Sequence, residues 1–481
     1  MSRTQLRRKA KRRRGGRFNP KQYNDLVISY GSISVRFVRE LMFDLPITPV
    51  AARYRSFRST MSLDLDREEQ HLLSGAEGDG TALAMRIVAC AARVLQAENL
   101  TPIHAAHIDG CLYHGDSGVL FAERLVALGA RVRVPTTLNV GAIDLLHGDR
   151  DRLEPAAKDM ARRLMNAYVA MGAKPTWTCA PYQAGHRPRR GEDVAWGESN
   201  AVAFCNSVLG ARTNRYGDFL DICAAITGRA PRTGLHLPEN RVATVLVDAT
   251  GIPQPYWNQD IAYPVLGTWL GHVVGERVAA IEGIGHPSED QLKALGAAAA
   301  SSGAVGLFHV IGTTPEAPSL EVAFGNRPPS EVIRLDPSTL ENVRLTLSSV
   351  RLEAGDAVNA VAVGSPHLSK AELLLLDRLL GNRQCAIPLY ACTGRHVVNE
   401  FSAEDLRSFV DRGVILVADT CIVVTPILPR SSGVVVTNSG KFAHYTPSNT
   451  GYDVVFANFR DCIESAVTGS LQLTPSFPHA V

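Results

Sequence analysis

From Leu63 onward the apolar positions switch repeatedly between two periods. The stretch "TALAMRIVACAARVLQA" (81–97) spaces them as a helix does, and "PIHAAHIDG" after it reads as a strand entering a loop. "DSGVLFAERLVALG" is an amphipathic helix with Asp116 or Ser117 near its N-cap and Gly129 near its C-cap. "RVRVPTTLN" follows as strand and loop, "EPAAKDMARRLMNAYVAMGA" as helix, and "PTWTCAPYQ" as strand and loop again. The pattern resumes near residue 355 with the strand and loop "DAVNAVAVGSPH" and the helix "SKAELLLLDRLLG". The strand-and-loop units "CAIPLYACTGR", "VILVADTCIVVTP" and "GVVVTNSGKFAHY" complete it. Such βα alternation predicts an α/β fold with mainly parallel sheets covered by helices. It divides the chain into a first segment 1–60, a body 61–354 and a C-terminal α/β unit 355–481. In these folds ligands collect in the loops at the carboxyl ends of strands, where HIDG, TTLN and TCAPY fall.

Composition narrows the class. The 481 residues are 45% apolar and 20% charged, which suits a globular protein with a large core. The net charge of +3 hides an asymmetry, because residues 1–60 hold 15 Lys and Arg against 3 Asp and Glu. The body is therefore mildly acidic. The basic run "RRKAKRRRGGR" fits a nucleic-acid arm, a nuclear signal or a transit peptide, but runs of this kind are most often solvated tails. Met61 would also serve as a natural start, so residues 1–60 receive no catalytic role. No apolar run reaches the roughly 18 residues of a membrane helix. The nearest, "GVILVADTCIVVTPILP", carries Asp419 in its middle. Nine cysteines without regular spacing argue for a reducing, cytoplasmic setting and against a disulfide framework. No CxxC pair is present, which excludes a zinc ribbon.

The densest polar stretch is "AWGESNAVAFCNSVLGARTNRYGDFLDICAAITG", where Glu198, Ser199, Asn200, Asn206, Ser207, Arg212, Thr213 and Asn214 interrupt small apolar residues. A helix N-terminus followed by a surface loop would explain it. The Arg-Thr-Asn run after Gly210 equally suits a clamp for a carboxylate or phosphate. Cys179 and Cys421 each follow a predicted strand; a free cysteine there is usually a small buried hydrophobe, although converging thiolates can hold an iron–sulfur cluster. "TNSGK" is not a Walker motif, since Gly433 stands too far from Gly440 and Phe442 replaces the hydroxyl residue. Lys441 with Ser439 can still meet an anionic group, or form a plain surface turn. His104, His107 and His114 show no recognised zinc spacing and read as satisfied loop histidines.

Taken in order, "HIDGCLYHGDSG", "VPTTLN", "TCAPYQ", "ESNAVAFCNSVLGARTNRYGDF", "GSPH", "ADTC" and "TNSGKFAHY" resemble the large catalytic region of the aconitase X family, from about residue 61 to about 465. The resemblance implies an aconitase-like catalytic region lacking the small swivelling domain, and an iron–sulfur dehydratase. The bacterial branch acts on cis-3-hydroxy-L-proline and an archaeal branch on phosphomevalonate. It also implies a separate small subunit that completes the active site, since no segment here resembles that domain. Cys179 and Cys421 match two cluster ligands of the family. Ser365 in "GSPH" stands where the archaeal pattern has cysteine, so Cys223 is the preferred third ligand and Cys392 the runner-up. That departure favours the hydroxyproline branch and a 2Fe-2S cluster.

On this resemblance Arg212 or Lys441 binds the substrate carboxylate, with Asn206, Ser207, Thr213 and Asn214 shaping the pocket. His107, Asp109 and Asp116 orient amine and hydroxyl, and Glu198 meets the ring nitrogen. Thr136, Thr137, Asn139, Ser199, Asn200, Ser365 and Ser439 complete the substrate-binding set. The general base is expected on the small subunit. The alternatives are a dehydratase of another small hydroxy acid such as phosphomevalonate, and an iron-sensing nucleic-acid-binding protein; a membrane partner is not expected.

Overall fold

The computed structural model describes residues 63–148, 150–429 and 433–475, so the first segment 1–60 lies outside the described residues. Three parallel sheets organise these residues. The first runs Thr136–Leu138, Ala106–Ile108, Ala195–Trp196 in spatial order. In the second the order is Phe308–Val310, Ala279–Glu282, Val245–Asp248, Glu331–Arg334. Both lie within 61–354. The third, within 355–481, runs Val414–Val417, Leu389–Thr393, Ala360–Leu368, Val434–Thr437, Asp453–Phe456. A two-stranded antiparallel pair, Leu100–Pro102 with Arg229–Pro231, is the remaining sheet among the described residues.

Local chemistry accounts for most helix limits. Helix Lys370–Leu380 opens on a capping box in which Ser369 and Glu372 satisfy each other's backbone N–H groups. Helix Glu289–Ser302 opens the same way on Ser288 and Gln291. The expected helix after HIDG spans Asp116–Ala127, but Gly115 is its N-cap, with Asp116 as the first helical residue. Inward faces meet in contiguous cores. Met85, Phe121 and Tyr168 fill the first, around the strand Ala106–Ile108, while Leu373, Leu376 and Phe409 pack against the third sheet.

Two stretches differ from the pattern-based expectation. "PTWT" forms no strand: the Thr176 hydroxyl occupies the Leu138 N–H and C=O at 3.0 and 2.8 Å, and Trp177 turns to φ 46°. Side-chain bonds thus replace the ladder. Nor is the stretch after Glu198 a surface loop. Helix Ser199–Phe204 runs into a π-helical turn at Cys205–Leu209, with Asn206 and Ser207 buried.

The third sheet decides where chemistry can happen. From Ala360–Leu368 the chain adds two strands on one side and then two on the other, so a crevice opens at the carboxyl end of this central strand. The strand is irregular there, with a register shift between Val363 and Leu368 and a cis peptide before Pro366. Gly364 adopts φ 93°, and a Cβ on it would lie 2.1 Å from the Cys392 carbonyl oxygen. Gly364→Ala is therefore expected to cost on the order of 3 kcal/mol, read as a lower midpoint in chemical unfolding. An unchanged midpoint would show that the neighbouring strand gives way freely.

Candidate active site

The carboxyl ends of the first and third sheets face each other, and a buried ion pair joins them. Glu198 follows the strand Ala195–Trp196 and caps the next helix by accepting from the Ala201 N–H at 2.8 Å. Its second oxygen lies 2.7 Å from Nζ of Lys441, in the first turn of the helix Gly440–Asn449. Burial alone would lower the Lys441 amine, but Glu198, Cys179 and Cys421 outweigh it and raise the pKa. The lysine is held as a cation.

Thiols gather around this cation. Cys179, Cys392 and Cys421 share one buried core cluster. The Cys392 thiol donates to Cys421, and with help from the Val423 N–H, Lys441 and the Ser365 hydroxyl it brings Cys421 down to about 6 despite burial. Cys179, pushed up to about 12 chiefly by burial, stays a thiol in this arrangement. His367 ties the two cysteine loops together. Its backbone N–H donates to Cys179 Sγ at 3.4 Å, and its Nε2 donates to the Thr420 carbonyl at 2.9 Å, leaving Nδ1 to accept from Thr178 at 3.0 Å. Burial lowers its pKa to about 4, so the ring is neutral, as this bonding requires. Asp419, in the left-handed region at φ 62° and clamped by Nε and one terminal nitrogen of Arg395, presents Thr420 and Cys421.

Cys223 stands elsewhere. It is buried in the first core on the helix Leu220–Thr227, beside Asp221, so the register of the sheets brings Cys392 and not Cys223 to Cys179 and Cys421. Among the described residues no group of three His, Cys, Asp or Glu is close enough to hold a single metal ion. Ligands of a multi-iron cluster stand further apart than ligands of one ion. The three soft sulfurs, one of them ionised near neutrality and two of them beside a lysine, are a donor set that suits such a cluster.

A second group of charges lies on the first-sheet side. Asp109, at the end of the HIDG strand, accepts from the Asn139 amide at 2.5 Å. Burial, then Asp218 and Glu198, push its carboxyl up to about 7. Asp221 rises to about 8 through burial and Asp218, and burial raises Asp218 as well. Asp218, Asp221, His367 and Cys392 lie inside quoted motifs, yet nothing in their spacing marks them.

The other expected site residues fall into place around or away from this centre. Ser439 caps its helix, accepting from the Phe442 N–H at 3.0 Å, and donates to the Ser365 carbonyl. Asn200 donates to the Cys179 carbonyl at 3.3 Å, and its own oxygen is buried without a partner. Ser199 begins the helix half-buried. Both ends of this loop cluster therefore reach the cysteines. His107 is instead a sheet residue, bonded through Nδ1 to Thr137 at 2.9 Å, and Thr136 bonds back to the Val134 carbonyl. Asp116 is exposed and tied to Tyr113. Asn206, Ser207, Thr213 and Asn214 have their polar atoms taken up by backbone and by Arg241, so they brace the junction with the second sheet. The backbone of Arg212 pairs with that of Asp193 in an isolated parallel β-bridge, and its buried side-chain Nε has no hydrogen-bond partner. A cavity of about 1030 Å³ between the first two sheets meets Asn214 and Cys90 but none of Cys179, Cys392 and Cys421.

Comparison with known proteins gives the family. The models of the aconitase X first, second and third domains match residues 62–239, 243–345 and 358–468. The chain belongs to the aconitase X family. It is 43% identical over 413 residues to the cis-3-hydroxy-L-proline dehydratase of Pseudomonas aeruginosa, covering 84% of this chain and 70% of that protein. It is 40% identical to the protein of the same name from Hypocrea jecorina, of which it covers 69%. The phosphomevalonate dehydratase large subunit of Methanothermobacter thermautotrophicus is 37% identical, with 98% of its length covered. The crystal structure of Thermococcus kodakaraensis aconitase X in its holo-form superposes with a TM-score of 0.74 at 32% identity, covering 84% of this chain and all of that one. Membership of this aconitase-like family carries the expectation of an iron–sulfur cluster, and the three cysteines are where the fold offers a place for it. No described helix is long and apolar enough to cross a membrane.

Two measurements check these electrostatics. In cluster-free protein the thiolate absorbance near 240 nm should rise with a midpoint of about 6 and lose that step in Cys421→Ser. A first step near the ordinary thiol value would refute the hydrogen-bonded thiolate. The raised carboxyls of Asp109 and Asp221 bind protons in the folded protein that the unfolded chain has already released, so stability falls as pH rises from about 4 towards about 8. Asp218→Asn removes a charge from both neighbours. Its melting temperature should decline less between pH 5 and 8 than that of the unaltered protein, and an equal or steeper decline would count against the coupling.

Proposed function

We propose that this chain is the catalytic large subunit of a cytoplasmic hydro-lyase that dehydrates cis-3-hydroxy-L-proline to Δ1-pyrroline-2-carboxylate. A separate small swivelling-domain subunit completes its site, and a 2Fe-2S cluster is held by Cys179, Cys392 and Cys421. The observation that carries the reading is the Glu198–Lys441 pair set against three thiols in a chain 43% identical to a dehydratase of that name. The archaeal relatives favour a small subunit, because they are named large subunits and this chain covers 98% of one of them.

The chemistry asks for two groups in one place. The α-proton leaves C2, its electron pair forms the C2–C3 double bond, and the C3–oxygen bond breaks to release water. The enamine then passes its N–H proton to C3. When bound, the cluster supplies Lewis-acid polarisation of the departing hydroxyl. Lys441 holds the carboxylate against Glu198, which meets the ring ammonium of the zwitterion. Asp109, with a pKa of about 7, is protonated often enough at neutral pH to donate towards the leaving oxygen. Asn200 and Ser199 line the approach from the helix start. The base comes from the small subunit. Lys441, Lys293 and Arg395 are each paired with a carboxylate, which suits a substrate with one anionic group better than one with an added phosphate. The basic run in residues 1–60 lies outside the described residues, and the site itself carries no nucleic-acid reading.

Anaerobic co-expression with a small subunit, followed by assay of cis-3-hydroxy-L-proline and by iron and sulfide analysis, tests the reading. Turnover is expected with a bound cluster, and Cys179→Ser, Cys392→Ser and Cys421→Ser should each lose both cluster and at least about 100-fold in kcat. Cys223→Ser should keep both. Loss of the cluster in Cys223→Ser but not in Cys392→Ser would overturn the ligand set. Phosphomevalonate turnover in place of hydroxyproline would replace the substrate, and activity of the chain alone would remove the second subunit.

A further inference from the structure

We infer that Asp221 is a positioning residue for this site: its buried carboxyl group grips the HIDG loop from behind and thereby sets where Asp109 and Glu198 stand. Only the activity part of the argument rests on the proposed dehydration.

Asp221 is fully buried on the helix Leu220–Thr227. One carboxylate oxygen accepts from the Asp109 N–H at 2.7 Å and from the Gly110 N–H at 3.3 Å. The other accepts from the Ile222 N–H at 2.7 Å. A single side chain thus satisfies two consecutive donors of a loop that has left its strand, donors that would otherwise be buried unpaired. Its two oxygens keep lone pairs for these bonds even while the carboxyl holds the proton that burial lets it keep up to about pH 8.

The same oxygen governs the neighbouring strand end. A Cβ on Gly197 would stand 2.8 Å from it, 2.9 Å from Asp109 Cβ and 3.1 Å from the Asp109 nitrogen. Only glycine lets the Gly197–Glu198 backbone pass this close. Gly197 in turn donates to the His107 carbonyl at 2.9 Å, which locks the two strand ends together. Asp221 therefore lies where the Asp109 loop and the Glu198 loop touch. The turn that delivers it is strained. Phe219 holds φ 77°, a left-handed conformation that a bulky side chain rarely adopts. Strain of this kind persists where the surroundings over-determine it, and it gathers at functional sites.

Asp221 itself is too deep to meet substrate. Its effect is indirect, through Asp109, Glu198 and, by the ion pair, Lys441. Displacing catalytic groups by about 1 Å can cost about 100-fold in rate with less effect on binding.

The test uses the assembled enzyme and the variants Asp221→Ala, Asp221→Asn and Gly197→Ala, with residue-resolved amide hydrogen exchange beside kinetics. In Asp221→Ala, exchange at Asp109 and Gly110 should quicken at least about tenfold and kcat fall about 100-fold, with KM within about threefold. Asp221→Asn keeps one acceptor oxygen and should recover most of both. Gly197→Ala pushes a methyl into the carboxylate and should lower kcat with the fold intact, which keeps the test open if Asp221→Ala fails to fold. Wild-type exchange and kcat in folded Asp221→Ala or in Gly197→Ala would overturn the inference. So would equal losses in Asp221→Ala and Asp221→Asn with exchange quickened throughout the chain, the signature of a purely structural acid. If the unaltered enzyme fails to turn over cis-3-hydroxy-L-proline, the substrate assignment falls while the exchange measurement still decides the role of Asp221.

Discussion

The buried pair between Glu198 and Lys441 is the constraint around which the rest of the site is arranged. Two charges removed from water are costly unless each finds the other and further polar partners. Here the partners come from different sheets: a helix cap fixes the carboxylate, and the first turn of another helix delivers the amine. Joining them brings the carboxyl ends of the first and third sheets together. Lys293 makes a comparable tie, binding Asp290, Glu372 and the His367 carbonyl and so fastening the second sheet's helix to the third sheet. Asp144 adds a third by accepting from the Ala418 N–H at 3.1 Å.

The consequence for chemistry is a division of charge. On one side, thiols sit under a lysine with a hydrogen-bonded thiolate already formed, which is the state in which sulfur binds iron. On the other, Asp109, Asp218 and Asp221 crowd together in a dry environment and keep protons to unusually high pH. Burial pushes both kinds of acid towards the neutral form, and what differs is the company each keeps. Where donors converge on Cys421 the anion wins, and where acids converge on one another the neutral form wins.

Much of the architecture was legible along the chain. Alternating periods marked the helices and most strands, including the helix Lys370–Leu380 within the stretch read as helical. Cys421 and Lys441 were legible as site candidates because each follows closely on a strand, Cys179 because its loop lies in a recognised motif, and Glu198 because it opens the densest polar stretch. The strand at "PTWT" was not, because a threonine hydroxyl took over the bonds that a ladder would have made. The polar run from Asn206 to Asn214 looked like a binding surface, but buried side-chain amides and hydroxyls also brace helix ends and sheet junctions, and composition is identical in the two cases.

By itself the sequence determined the α/β class, the family and the loops that bear chemistry, since these depend on local periodicity and on motifs contiguous in the chain. Only the tertiary structure decided that Cys392 and not Cys223 joins Cys179 and Cys421, and that Asp221 lies behind Asp109. The reason is physical. A thiol's neighbours and a carboxyl's proton affinity are set by strand register and burial, which bring together residues more than a hundred positions apart, and no spacing along the chain encodes those distances.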